Sequence, residues 1–266
     1  MLSLSPFQLT DLSGSLRDFS GNSQSIVCFV KEDCPTCREV MPVLAAMHSG
    51  LAQHLDFLVI GQTAEGNKKL QQDFDLPFSL LDDSALKVSF ATDVETVPTL
   101  LVTDASGSVV AEQVGFVRDD WQSLARSLLE QGPGGDLGLD WSALPEWRPG
   151  CGSLSVDPAH ADRLQAEADN SPIRARRIEV GSLDDEFEFM FDQGFSDGLP
   201  VIPPTPERVV RMLTGTSRDP QEVVAVMPPN MGEVTVEKVA INCVMAGCKP
   251  EYLPVVIAAV EAVCTR

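Results

Sequence analysis

Cys34-Pro35-Thr36-Cys37 is the stretch of this chain whose residue types and spacing can do chemistry. It follows the apolar run Ile26-Val27-Cys28-Phe29-Val30, so it reads as the turn from a strand into a helix. The first cysteine then lands at a helix N-terminus, where unpaired backbone N–H groups and the helix dipole favour an anion. That lowers the thiol pKa, to about 7 or below in motifs of this kind, and the thiolate is the nucleophile. Cys37, one turn further in, can close a disulfide or resolve a mixed one. Half a zinc site is the competing explanation, but it needs a second ligand pair, and the chain has no other C-x-x-C or H-x-H. The expectation is an exposed, acidic Cys34 thiol and a buried Cys37.

Three further segments make the first half resemble a thioredoxin-fold protein. Val97-Pro98-Thr99-Leu100-Leu101-Val102 is similar to the cis-proline loop and following strand of that family. Asp104-Ala105-Ser106-Gly107-Ser108-Val109-Val110 reads as a hairpin turn between two apolar strands. Phe7-Gln8-Leu9-Thr10-Asp11-Leu12-Ser13-Gly14 resembles the opening of the TlpA and peroxiredoxin branches, and an extra strand and helix at about 57–74 suit them. Around the cysteines the chain looks most like the thioredoxins of methylamine-dehydrogenase maturation. The resemblance implies that Val97–Pro98 is cis, and that Pro98 shapes a substrate groove with Val97, Pro35 and Thr36. It also implies that Pro98 keeps metals from the thiols, and it brings no metal and no cofactor.

There are departures. Asp33 stands where a tryptophan commonly precedes the first cysteine, and Cys28 stands where thioredoxins keep a buried acid. Cys28 is most simply a small core residue. The P-x-x-x-T-x-x-C peroxidatic signature is absent.

The elements that must position these residues alternate between strand and helix, which is the α/β pattern. Strands are expected at 26–30, 57–61, 98–103 and 109–116, and helices at 34–48, 65–74 and 84–90. A closing helix at 119–130 puts Trp121, Leu124, Leu128 and Leu129 on one face. Gln131-Gly132-Pro133-Gly134-Gly135-Asp136 breaks the pattern and reads as a linker. The expected organisation is a thioredoxin-like three-layer sandwich over 1–130, a linker over 131–150, and a smaller α/β or α+β domain over 151–266.

In that second half, Gly150-Cys151-Gly152-Ser153 reads as a loop, 158–170 as a polar helix, and 183–195 as an acidic amphipathic segment. Residues 200–206 hold four prolines in seven positions, which excludes helix and central strand. Thr205 is placed to cap the next helix with Pro206 at its first position. Residues 223–227 read as a buried strand, and Thr235 caps a helix with Val236, Val239, Ala240, Cys243 and Val244 facing a core. About 177–262 resembles a bacterial family of unassigned chemistry that often neighbours the UGSC selenoproteins. That family continues past the point where this chain stops. The apolar helix 251–264 is therefore expected to be covered by a partner subunit, or else the chain is a fragment.

A formal net charge of −20 over 266 residues argues against nucleic acid and anionic membrane surfaces as partners. No stretch reaches the ~20 apolar residues that span a bilayer. Residues 1–6 lack a basic, apolar leader, so the expected compartment is the cytoplasm. The leading function is a thiol–disulfide oxidoreductase serving a partner protein or an internal disulfide, with Cys248 and Cys151 as candidate secondary thiols. In a second reading the C-terminal domain is a small-molecule enzyme whose thiol the redox domain recycles. The Pro-rich loop, Cys248, Asn242 and Glu251 would then line its pocket. In a third, it is a redox-sensitive assembly module without turnover.

Overall fold

A computed structural model describes residues 3–178, 180–181 and 185–264 of the chain. Two compact units are present, Met1–Asp157 and Pro158–Arg266.

The first unit is built on a five-stranded mixed sheet. In chain order its elements begin with β1 (Phe7–Thr10), β2 (Leu16–Phe19), β3 (Ser25–Val30), α1 (Pro35–Leu51), β4 (Asp56–Gly61), α2 (Ala64–Phe74), β5 (Leu81–Asp82) and α3 (Lys87–Ala91). They continue with β6 (Thr96–Val97), β7 (Thr99–Thr103), β8 (Val109–Val114), β9 (Phe116–Val117), α4 (Arg118–Gln131), β10 (Trp147–Arg148) and β11 (Cys151–Gly152). The sheet order is β5-β4-β3-β7-β8, with β3 parallel to β4 and antiparallel to β7. All six residues of β3 are buried, which explains its unbroken apolar run: a central strand covered on both faces has no polar side. Helix α1 buries Cys37, Val40, Met41, Val43, Leu44, Met47 and Leu51, the stripe expected of one helical face. On α4, Trp121, Ala125, Leu128 and Leu129 are buried, and the Trp121 indole donates to the Gly115 carbonyl at 3.2 Å. This is a thioredoxin-like sandwich, as the motifs implied.

The segment after α4 differs from the expectation. Residues 131–150 do not separate two domains, because they belong to the first unit. Trp147–Arg148 pairs antiparallel with Val117 and Phe116, and Cys151–Gly152 pairs with Val97 and Thr96. Gly and Pro density signalled irregular backbone correctly, but irregular backbone can still be fastened down. Leu137, Leu139, Trp141 and Leu144 pack against the first unit's core. The division between units lies after Asp157.

The second unit contains α5 (Pro158–Ala168), α6 (Glu186–Asp192), α7 (Pro206–Leu213), β12 (Val223–Met227), β13 (Gly232–Thr235), α8 (Val236–Met245) and α9 (Leu253–Cys264). Leu183, where the amphipathic segment was expected to begin, lies outside the described residues. Thr205 occupies the cap position of α7 with Pro206 next, although its side chain makes no capping bond. Thr235 does cap α8, accepting from the Lys238 N–H. A small core of Ile173, Val209, Met212, Leu213, Val236, Val239, Ala240, Cys243, Val244, Leu253 and Ile257 holds this unit together.

Two expectations change here. The 223–227 strand is not buried. Among the described residues it pairs only with β13, and Val223, Val226 and Met227 are exposed, because a two-stranded ribbon has few neighbours to cover it. Helix α9 is covered along one side, with Leu253 and Ile257 buried, while Val255 and Val263 are 71% and 83% exposed.

Candidate active site

The C-x-x-C segment lies where β3 hands over to α1. Cys34 is the N-cap of α1, in extended conformation, and its sulfur accepts from the Cys37 N–H at 3.4 Å. Pro35 takes the first helical position, where a missing N–H costs nothing. The Cys37 sulfur points back toward β3 and accepts from the Lys31 N–H at 3.3 Å. Opposite them, Val97–Pro98 is cis, and the protonated Cys34 thiol donates to the Val97 carbonyl at 3.5 Å. Cys34, Cys37, Pro35, Thr36, Val97 and Pro98 are therefore brought together at one place.

The two thiols are driven apart in acidity. Cys34 is lowered from 9.0 to about 5, chiefly because its thiolate accepts a hydrogen bond from Cys37. The Cys151 thiol and the N–H groups of Cys37 and Thr36 add to this against the opposing effect of burial. Cys37 is pushed well above its ordinary value, mainly by burial and then by its role as donor to Cys34. Cys28 lies in the core, and burial pushes its thiol up as well.

The exposure expected of Cys34 is not found: its relative accessibility is 0%. The cover is the 149–153 segment, expected to be part of a linker and a loop in a second domain. Cys151 stands opposite Val97 in the β6–β11 pairing, with its thiol beside that of Cys34. Burial and that neighbour raise Cys151 to about 11. The Thr36 hydroxyl donates to the Pro149 carbonyl at 2.5 Å, and Lys31 Nζ to the Gly152 carbonyl at 3.1 Å. Beyond Cys151, the Ser153 N–H donates to the Glu95 carbonyl at 2.9 Å, and Gln62 Nε2 donates to Ser153 Oγ at 2.6 Å. Sequence reading missed Lys31, Gln62 and Ser153, since each works through a partner far away in the chain. The glycines flanking Cys151 were the available signal.

Cys248 belongs to the second unit. Its thiol lies beside that of Cys243, and its N–H donates to the Cys243 carbonyl at 2.9 Å. The second unit also has a groove of about 450 Å³. Pro203, Pro204 and Pro206 line it as the Pro-rich loop suggested, with Arg176, Arg177 and Glu186 as its charged residues. Cys248, Asn242 and Glu251 are not among its lining residues. Among the described residues no group of three or more His, Cys, Asp or Glu side chains is placed to hold a metal ion. No helix among them is long and apolar enough to cross a membrane.

No protein-family model matches the chain, and no curated protein matches it in sequence. The resemblance over 177–262 therefore rests on its residues alone. Solved structures do match the first half. One is a candidate thiol:disulfide interchange protein DsbE from Chlorobium tepidum, 21% identical, with 48% of this chain and 94% of that one covered at a TM-score of 0.43. Another is a secreted Mycobacterium tuberculosis disulfide oxidoreductase homologous to Escherichia coli DsbE, 17% identical, covering 46% and 95% at 0.38. A third is the exposed lipoprotein thioredoxin of Streptococcus pneumoniae, 18% identical, covering 47% and 99% at 0.42. The expected cytoplasmic placement does not stand against these: two of the three are described as secreted or exposed. A missing leader pattern in residues 1–6 does not define a compartment.

Proposed function

We propose that the first unit is a thiol–disulfide oxidoreductase acting on protein disulfides. The observation that carries this reading is the opposed acidity of two adjacent thiols at a helix start, Cys34 at about 5 and Cys37 well above its ordinary value. At neutral pH Cys34 is then a thiolate and Cys37 a thiol. The Cys34 thiolate attacks one sulfur of a client disulfide, forming a mixed disulfide and releasing the other client sulfur as a thiolate. Cys37 then attacks the Cys34 sulfur, its proton passing to the departing client sulfur. The first client thiolate takes a proton from water, so the client ends as a dithiol and the protein as a Cys34–Cys37 disulfide; two electrons move and the atoms balance. Pro98 and Val97 form the wall against which the client disulfide lies.

The test is reduction of insulin disulfides in the presence of dithiothreitol, comparing the whole chain with Cys34→Ser. The wild type should accelerate the reaction and the variant should not. Equal rates would overturn the proposal. A chain in which both neighbouring thiols are removed, Cys37→Ser with Cys151→Ser, should retain clients covalently on Cys34, and identifying them would name the natural substrate.

A further inference from the structure

We infer that Cys151 is a third exchange thiol of this site: the 149–153 segment is a built-in client whose sulfur can replace Cys37 in a disulfide with Cys34. This rests on the exchange reading of Cys34 and Cys37 and extends it to a residue outside the C-x-x-C motif.

The placement is specific in three ways. First, an extended segment paired with another is held by main-chain hydrogen bonds, whatever its side chains. Here the partner is Thr96–Val97, the residues before cis Pro98, and the residue opposite Val97 is Cys151. The Val97 carbonyl also receives the Cys34 thiol, so the backbone opposite Cys151 is the same one that meets Cys34, and the Cys34 and Cys151 thiols interact.

Second, the close approach depends on glycine. A Cβ on Gly150 would sit 2.2 Å from Thr96 Cγ2 and 2.8 Å from the Val97 carbonyl oxygen. Gly115, at φ +69°, leaves room in the same way beneath Arg148 and Gly150. Third, the fasteners lie on both sides of Cys151, with Thr36 holding Pro149, Lys31 holding Gly152 and Gln62 holding Ser153. They fix the position of a sulfur that strand pairing by itself does not require.

The exchange needs no outside reagent once the client reaction has produced the Cys34–Cys37 disulfide. The Cys151 sulfur attacks Cys34 Sγ, the Cys34–Cys37 bond breaks, and the Cys34–Cys151 bond forms. The proton leaves Cys151 and ends on Cys37, whose burial favours the thiol. Oxidation state is unchanged, and two disulfide isomers interconvert. In the second isomer the 149–153 segment is bonded across the site, so a new client must displace it.

The experiment uses the whole chain, oxidised with an excess of oxidised dithiothreitol, alkylated in acid and mapped by mass spectrometry without reduction. Cys34 and Cys37 share the tryptic fragment 32–38, and Cys151 lies on another. Wild type should give both the internal Cys34–Cys37 loop and a cross-link between the two fragments. Cys37→Ser, or Cys37→Ala if the serine disturbs folding, should convert most of the protein to the Cys34–Cys151 link. Cys151→Ser should abolish the cross-link.

A wild type that reduces insulin and forms the Cys34–Cys37 bond, with no fragment cross-link in it or in a folded Cys37 variant, would overturn the inference while leaving the oxidoreductase reading intact. The cross-link without insulin reduction or a Cys34–Cys37 bond would overturn the oxidoreductase reading and support the Cys34–Cys151 pairing alone.

Discussion

Replacing Cys37 with alanine removes the strongest donor to the Cys34 thiolate and gives a measurable change in acidity. The thiolate accepts from the Cys37 thiol, the Cys151 thiol and the N–H groups of Cys37 and Thr36, with Cys37 first in size. A hydrogen bond to a charged group contributes about 1.5–3 kcal/mol. Each tenfold change in an acid constant is about 1.4 kcal/mol, so losing this bond should weaken the acid roughly ten- to a hundred-fold. From about 5 in the wild type, the Cys34 midpoint should therefore rise to about 6–7 in Cys37→Ala. Cys151→Ala should move it in the same direction by less. The assay is thiolate absorbance in the ultraviolet against pH, with Cys34→Ser as the blank. Cys28, Cys151 and Cys243 are all shifted upward and stay protonated in this window. A wild-type midpoint near the ordinary thiol value, or a Cys37→Ala midpoint that does not move, would refute the hydrogen-bond account of the site.

Gly150→Ala should open the site, because its Cβ meets Thr96 and Val97 at 2.2–2.8 Å, closer than atoms can pack; iodoacetamide should then alkylate Cys34 several-fold faster, and an unchanged rate would show that the segment does not control access. The folded reduced chain holds Cys34 below its ordinary value, so the stabilisation from the thiolate is complete above that value and is lost as pH falls through about 5. Urea unfolding of reduced wild type should weaken across this window relative to Cys34→Ser, and parallel pH profiles would contradict it. In the second unit, buried Glu237 accepts from the N–H groups of Arg174 and Ala175 and from Gln221, each at 2.9 Å. Glu237→Ala removes the shared acceptor of these part-buried bonds and should cost about 1–3 kcal/mol in urea unfolding. Ile257→Ala on the covered side of α9 should cost about 2–5 kcal/mol, whereas Val263→Ser, at a position 83% exposed, should stay within ~0.5 kcal/mol. Equal effects would mean that the exposed side of α9 is covered in solution.

Local features of the chain were legible in the sequence wherever the physics is local. The unbroken apolar run of β3, the helix start at Cys34-Pro35, the stripe on α1 and the caps at Thr205 and Thr235 depend on neighbours within a few positions. The core position of Cys28 and the convergence of Cys34, Cys37 and Pro98 followed from motifs that carry their own geometry. Residues 131–157 were not legible, because glycine and proline mark irregular backbone without saying whether distant residues hold it. Lys31, Gln62 and Glu95 do so here, from 58 to 121 positions away. Cys151 therefore moved from a second-domain loop to the strand paired beside Cys34, and Cys34 from exposed to buried. The exposure of Val223–Met227 was decided in the same way. An apolar strand is buried only where the fold packs other elements on its faces, and of β12 Val224 packs against the core while Val223, Val226 and Met227 stay exposed. Spacing within a motif set which thiol is the acid; only the tertiary structure decided which third thiol stands beside it.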